Sequence, residues 1–558
     1  MTLRRQLALL FIVQAVLLAV AAGRNLHQLN PDAVAYCRIA GYYAGGQWEL
    51  AVTGYWGPLL SWLMVPWLKF GCAPLVAARV VMALSGVVFL AGAVSVFRAF
   101  RLPRVPLVTG AWIAVFWSVF WSVRNISPDL LMAGLAGLAM AATVEAVLAP
   151  CRQLAVAASS GEVAATASRR HERTIAAGIW WGLAYLAKAV ALPWAVLVTT
   201  GFALFAASGR PELRRELAAR LGVVWLCLAL VAGPWVAALS LHYGKFTFST
   251  TGPIAHALAG PGEESRYHPA MVTLHQPDAG RVTQWEEPSR MAYRFWSPFA
   301  SGEGFRHQFG VVMRNFKTMF EWLAPFEAWL SADERPLWRR WLGTFDFLGL
   351  AAVSLAFSGP ALIRQLGRMR RVRLLWAWVP VGALAGLYLP FFVMAEDNRY
   401  FYPLWPFLWL LTVAARPKSA GPTTFGYRRL GFRVMAVSFA LPAVLWCGAA
   451  RRGLPNPAAE AGRNLASRLV HNGWAGPVAG SGLLPGGRAG LYTAFFLGER
   501  WVGDDAQASP EAFAAAGARV VVLRRDAPQR KAFERAAGWR VVEPAATIPL
   551  ILFVRENP

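Results

Sequence analysis

Cysteine is scarce: five residues in 558, scattered so that none share a metal-binding spacing. That excludes a zinc-ribbon or a disulfide-framework protein. Cys151, Cys227 and Cys447 fall in or beside apolar segments and read as small core residues. Cys37 and Cys72 would share the outer side, where a disulfide between them is an open alternative. Internal repeats are also absent, which counts against most transporters built from repeated halves. Acids are the third shortage, 30 against 55 Lys and Arg, for a formal charge of +25. Such an excess usually suggests nucleic acid. Here, however, the arginines gather in short segments between hydrophobic runs, the positive-inside pattern that orients helices. The charge therefore points to the bilayer and its anionic headgroups, with no nucleic-acid partner.

What the chain has in quantity is apolar sequence, 56% of its residues. Several runs approach or exceed the ~20 residues that cross a bilayer. The fold class is mainly α: a polytopic helical membrane protein of about eleven transmembrane helices, N-terminus inside and C-terminus outside. Residues 1–450 form the membrane part, with outer loops at 23–73 and 243–340, and residues 451–558 a small α/β domain placed outside. Arg4 and Arg5 hold the first helix, roughly Gln6 to Ala22, at the cytoplasmic face. This segment has the look of a signal peptide but reads as an uncleaved helix, because the next helices need its anchor.

The segment from Gly23 to Gly71 is too polar and too rich in Gly, Pro and Trp for one clean span. Its second half, from Gly54-Tyr55-Trp56-Gly57-Pro58 to Phe70, suits an aromatic helix lying at the interface. Helices follow at about Pro74 to Phe97, Val105 to Val123 and Pro128 to Pro150. Ser127 caps the last of these, Pro128 fits its first turn and Asp129 sits at the positive end of its dipole. A cytoplasmic loop is expected over Arg152 to Arg173. Ile175 to Ala207 divides into two helices turning near Lys188, and a seventh, Leu221 to Leu241, emerges at His242. The long insertion from Tyr243 to Arg340 carries Trp, Phe, His and the paired acids Glu263-Glu264 and Glu286-Glu287, and reads as a folded, partly membrane-lying cap. Further helices are expected at 341–363, 374–395, from Tyr402, and up to Ala450, with the strongest inside signal between Arg364 and Arg373. Beyond them, Ser509-Pro510 opens a helix and Arg519 to Leu523 reads as a buried strand. Val478-Ala479-Gly480-Ser481-Gly482 with Gly486-Gly487 reads as an ordinary turn, since no phosphate-binding lysine follows.

On this topology Asp32, Asp129, Lys188, His242 and the Glu396 to Tyr400 cluster all face outward. Each has a plain alternative. Asp32 and Asp129 are also what a helix start would carry, Lys188 can snorkel to headgroups, and His242 suits an interface. The strongest signal is Glu396-Asp397-Asn398-Arg399-Tyr400, followed by Pro403 and Pro406. A guanidinium at a membrane face suits a phosphate, and a tyrosine hydroxyl can add a hydrogen bond.

These features, in order, resemble the glycosyltransferase-C superfamily, in particular bacterial relatives of protein O-mannosyltransferases and of lipid A aminoarabinose transferase. The resemblance rests on Asn30-Pro31-Asp32, Gly54-Tyr55-Trp56-Gly57-Pro58, Ser127-Pro128-Asp129-Leu130-Leu131, Lys188, and Arg399-Tyr400 with Pro403 and Pro406. It covers roughly residues 1–450 and the outer domain in general plan. It implies an enzyme of the bacterial cytoplasmic membrane that transfers a monosaccharide from a polyprenyl-phosphate carrier to a glycolipid, polysaccharide or protein acceptor on the outer face. Asp32 would be the general base or orient the acceptor, assisted by Asp129. Lys188, Arg399 and Tyr400 would hold the donor phosphate, with Glu396 and His242 as accessories. Many relatives carry an Asp-Glu pair in the first loop, whereas Asp32 is followed by Ala33. That shifts weight onto Asp129 and leaves Mg or Mn binding by Asp32 and Asp129 a sparse arrangement. A ligase or polymerase using a diphosphate-linked donor is the alternative enzyme, and a lipid or solute transporter the alternative class.

Overall fold

The structure, a computed structural model, describes residues 2–148, 163–209, 211–262, 268–323, 376–391, 398–414, 437, 440–482, 488–542 and 549–556. The expected helix at 341–363, the Arg364 to Arg373 cluster, Glu396 and Gly486-Gly487 lie outside the described residues. The first helix, α1 (Leu3–Arg24), is followed by α2 (Pro31–Ala44) and α3 (Pro58–Lys69). Then come α4 (Pro74–Ala99), α5 (Arg104–Arg124), α6 (Asp129–Leu148), α7 (Val163–Ala187), α8 (Ala191–Gly209) and α9 (Arg214–Tyr243). Among the described residues, six helices are long and apolar enough to span a bilayer: α1, α4, α5, α6, α8 and α9.

Apolar length and terminal punctuation explain most of these boundaries. Proline opens α2, α3 and α4 at a first-turn position, where its missing N–H costs nothing. The chain does break at Lys188, whose N–H still bonds Ala184 O at 2.9 Å before Ala191 N bonds Lys188 O at 3.0 Å. Two expectations are corrected. Residues from Val163 are already helical, so α7 starts about a dozen residues before Ile175 and covers half of the loop expected over Arg152 to Arg173. Alanine-rich sequence sustains a helix there although its first turns are polar. Cys37 and Cys72 are both free, Cys37 being buried in the core, so the open disulfide does not form.

Small residues set the packing of the bundle. A Cβ on Gly92 would lie 2.3 Å from Gly134 O, and one on Gly134 2.6 Å from Phe89 N. The α4 and α6 backbones therefore touch, as small-residue faces allow in a membrane. Gln14, fully buried on α1, donates to Gly86 O and Ser118 Oγ at 2.8 Å each and ties the first helix to α4 and α5.

Further along the chain come α10 (Gly302–Leu323), α11 (Trp378–Tyr388), a 3-10 turn (Asn398–Leu404) and α12 (Trp405–Ala414), and the last three pack against the bundle. The C-terminal part has α13 (Pro457–His471), β1 (Val478–Ser481), α14 (Ala489–Leu497), β2 (Trp501–Asp504), α15 (Pro510–Ala515), β3 (Val520–Arg524), α16 (Arg530–Arg535), β4 (Trp539–Val542) and β5 (Leu550–Arg555). Its sheet order is β2-β1-β3-β5-β4. The first three strands are parallel and β5 runs antiparallel to both its neighbours. The buried strand and the Ser509 cap stand where the sequence puts them, with Ser509 Oγ accepting from Ala512 N at 3.3 Å.

Two seams fasten this domain to the rest. Asn25 bonds Ala450 O and Leu454 N at 2.7 Å each, and Asn456 Nδ2 reaches Gln28 Oε1 and Leu29 O at 2.9 Å. The edge strand β2 is covered by the insertion, with Trp501 N bonding Val282 O at 2.8 Å and His275 N bonding Val502 O at 3.0 Å. A sheet edge left open would invite pairing with other chains.

The paired acids Glu286-Glu287 hold the insertion down. Both are fully buried. Tyr42 donates to Glu286 Oε2 at 2.6 Å, and Tyr243 donates to Glu287 Oε1 at 3.0 Å. Arg281, also buried, donates to Leu50 O at 3.0 Å. Burial pushes the Glu286 carboxyl up to about 7, against the opposing pull of the Tyr42 hydroxyl and of Arg281.

Candidate active site

The Asp32 stretch is a helix start. Asn30 is the extended N-cap residue, Pro31 takes the first helical position, and Asp32 lies in the first turn of α2. The Asn30 side chain does not cap its own helix. It accepts from Ile126 N at 2.9 Å and donates to Ile126 O at 3.4 Å. This two-point clamp joins the segment before Asp32 to the short turn before Asp129. Arg79, on α4 and buried, adds a second brace, donating to Gln28 O, to Val123 O at 3.1 Å and to Ser122 O at 3.4 Å.

Four charged groups meet beneath these braces. Arg399 Nη1 pairs with Asp32 Oδ2, and its Nε stands 3.8 Å from Asp129 Oδ2. Lys188 Nζ pairs with the other oxygen of Asp129. Arg399 Nη2 also donates to the Tyr400 hydroxyl at 3.4 Å, while the Lys188 ammonium lies 4.2 Å from the centre of the Tyr400 ring. The turn carrying Lys188 is held by contact with the segment between α2 and α3. A Cβ on Gly57 would fall 2.2 Å from Ala187 O, so only glycine lets the Gly54-Tyr55-Trp56-Gly57 segment come this close.

Burial differs across the cluster in a way that separates roles. The Asp129 side chain is 1% exposed, against 13% for Asp32, 15% for Arg399 and 19% for Lys188. Asp129 is thus the inner anchor that two cations share, and Asp32 faces the accessible side. Burial draws the Lys188 ammonium below the ordinary lysine range, with Asp129 opposing that shift. Two positive and two negative side chains balance one another. A further anion could enter by taking Arg399 from Asp32.

Tyrosines line the surroundings. Tyr36 on α2 and Tyr55 both lie in the field of Asp32 and Arg399, and Tyr388 packs 5.4 Å from Tyr400. Trp121 stacks on Tyr402 at 3.9 Å and seats the Arg399 turn against α5. From Tyr55 an aromatic run passes through Trp56, Trp285 and His268 into the insertion, with neighbouring rings 4.8 to 5.0 Å apart.

Of the residues singled out in the sequence, Asp32, Asp129, Lys188, Arg399 and Tyr400 come together. Glu396 is outside the described residues. His242 stands elsewhere: it ends α9 beside Tyr243, and its charged neighbours are Glu287, Arg290 and Arg281 of the insertion. Asn30, Gly57, Tyr55, Arg79 and Tyr388 complete the surroundings without having been assigned a role. Arg79 could have been found, because an arginine within an apolar run is rarely incidental. Asp32 and Asp129 do not fit a divalent ion as they stand, since a chain cation already engages each carboxylate. Among the described residues no three His, Cys, Asp or Glu gather as a metal site.

No family model and no curated protein matches the chain. Solved structures do. ArnT from Cupriavidus metallidurans in the apo state superposes with a TM-score of 0.55 at 16% identity, over 99% of this chain and 98% of that one. The same protein bound to undecaprenyl phosphate gives 0.55 at 16%, over 98% and 97%. The apo oligosaccharyltransferase of Archaeoglobus fulgidus gives 0.51 at 13%, over 93% of this chain and 69% of that one. The chain therefore shares the fold of these membrane proteins, at low sequence identity.

Proposed function

We propose that this chain, as a glycosyltransferase-C enzyme, transfers a monosaccharide from a polyprenyl-phosphate carrier to an envelope acceptor at the outer face of the bacterial cytoplasmic membrane. The observation that carries the reading is the joining of Asp32, Asp129, Lys188 and the adjacent Arg399 and Tyr400 from four separate segments. The crystal structure of ArnT with undecaprenyl phosphate supports a lipid phosphate as the ligand of such a fold.

The chemistry follows from the charges. The bond between the anomeric carbon and the carrier phosphate breaks as a bond to the acceptor oxygen forms on the opposite face. The electron pair leaves with the lipid phosphate, and the acceptor's proton passes to a base. Arg399 and Lys188 stabilise the phosphate as charge builds on it, and the Tyr400 hydroxyl adds a hydrogen bond. Asp32, the more accessible carboxylate, takes or orients the acceptor hydroxyl. Asp129 holds Lys188 and Arg399 in place.

The resting pair of Arg399 and Asp32 gives this scheme an order. When the donor phosphate draws Arg399 away, Asp32 loses its counter-ion and becomes a better base. Purified protein in vesicles, supplied with labelled prenyl-phosphate sugar and an envelope extract as acceptor, tests the reading. Asp32→Asn should lose transfer by ~10³-fold or more while still inserting and folding, since a general base contributes about 10²–10⁴. Undiminished transfer would remove Asp32 from the mechanism.

A further inference from the structure

Helix α10 has three faces of different character. At about 100° per residue, Gly304, His307, Gln308, Val311 and Asn315 occupy one third of its circumference. That third is bound to protein. Gln308 Nε2 donates to Pro390 O at 2.7 Å, Asn315 Nδ2 to Leu389 O at 2.8 Å, and the His307 ring meets Ala259 O at 2.7 Å. A second third is apolar and exposed: Phe305, Phe309 and Met313 are 58%, 61% and 49% exposed. The last third holds Glu303, Arg306, Gly310 and Arg314, all exposed.

A helix bound to protein on one side, with exposed aromatic residues on the next and charge on the third, matches a helix lying flat at a membrane surface beside its own bundle. The level agrees. The bonds from Gln308 and Asn315 land on the two residues after α11, at the end of that apolar helix nearest the site, where Tyr388 leans on Tyr400. Phe391, next to those acceptors, is exposed too, as are Phe295 and Phe299 leading into the helix. Arg306 borders the apolar face, where a lipid phosphate would meet it.

We infer that α10 docks on the phospholipid leaflet, with Phe305, Phe309 and Met313 among the acyl chains and Arg306 at the phosphates, and so holds the insertion at the level of the active site. The sugar-transfer reading does not enter this argument. The test uses the full chain in vesicles of phosphatidylethanolamine and phosphatidylglycerol, with a photo-crosslinking residue at Phe309, Met313 or, as control, Glu303. Mass spectrometry should find phospholipid adducts at 309 and 313 at least ~5-fold above those at 303, because only the apolar face enters the leaflet. Phe305 serves as a further position should either variant fail to fold. Equal yields at all positions, or crosslinks from 309 and 313 to a second copy of the chain or to another protein, would overturn the proposal. Transfer activity is not the readout, so failure here leaves the proposed function standing.

Discussion

Replacing Arg399 with lysine keeps the charge and removes the geometry, which makes it the sharpest test of the site. Arg399 reaches three groups at once: Asp32 through Nη1, the Tyr400 hydroxyl through Nη2 at 3.4 Å, and Asp129 from Nε at 3.8 Å. A lysine ammonium is a single compact charge and can keep one of these contacts. Across 3.8 Å the Asp129 attraction amounts to about 4 kcal/mol at an effective dielectric of ~20. The Arg399 side chain is 15% exposed and a flexible lysine recovers part of that attraction, so about 2 kcal/mol is the net expectation. Adding about 1 kcal/mol for the lost tyrosine hydrogen bond gives roughly 3 kcal/mol, or a ~100-fold drop in kcat/KM. Arg399→Met should fall further, since it removes the charge. The assay is transfer of labelled sugar from prenyl phosphate in vesicles, with thermal unfolding run alongside to show that folding is intact. Arg399→Lys within about twofold of the parent enzyme would refute the forked-contact reasoning, because a point charge would then suffice.

Two further outcomes are expected. Asn30→Ala removes both bonds to Ile126 and should lower kcat ~10-fold with little change in donor KM, because it loosens the alignment of two carboxylates without touching the donor; a change in KM alone would contradict this. The Glu286 carboxyl, raised to about 7 in the fold, keeps a proton that the unfolded chain gives up above its ordinary value near 4.5. Its destabilising effect is therefore absent at low pH and grows as pH rises from about 4.5 through about 7, reaching at most about 3 kcal/mol. Thermal unfolding of detergent-solubilised protein should show that decline between pH about 5 and about 8, and Glu286→Gln should flatten it; an unchanged slope would assign the decline to other groups.

Much of the site was legible because it obeys local rules. Asp129 behind Ser127-Pro128 announces a helix start, Lys188 interrupts an apolar stretch too long for one span, and Arg399-Tyr400 stands where packing asks for neither. Asn30 was in view but its role was not, since an amide before a proline reads as an N-cap and its true partner, Ile126, lies 96 residues away. His242 shows the converse. Its place at the end of an apolar helix was legible, yet standing at a helix end is not being in the same site. The helical character of Val163 to Arg173 was missed because polar side chains hide a run of alanines when hydropathy is the guide.

The sequence by itself determined the class of the molecule, several of its spans and the group of polar residues expected to share one face, because burial in lipid is a property of contiguous apolar length and capping is a property of neighbours. Only the tertiary structure decided which of those polar residues meet. Asp32 and Arg399 are 367 positions apart, and Asp129 and Lys188 are 59 apart. Their encounter depends on how helices cross, through contacts such as Gly92 on Gly134 and Gly57 on Ala187, where the absence of a side chain lets two backbones touch. No periodicity along the chain records that approach, since it depends on what the facing helix presents.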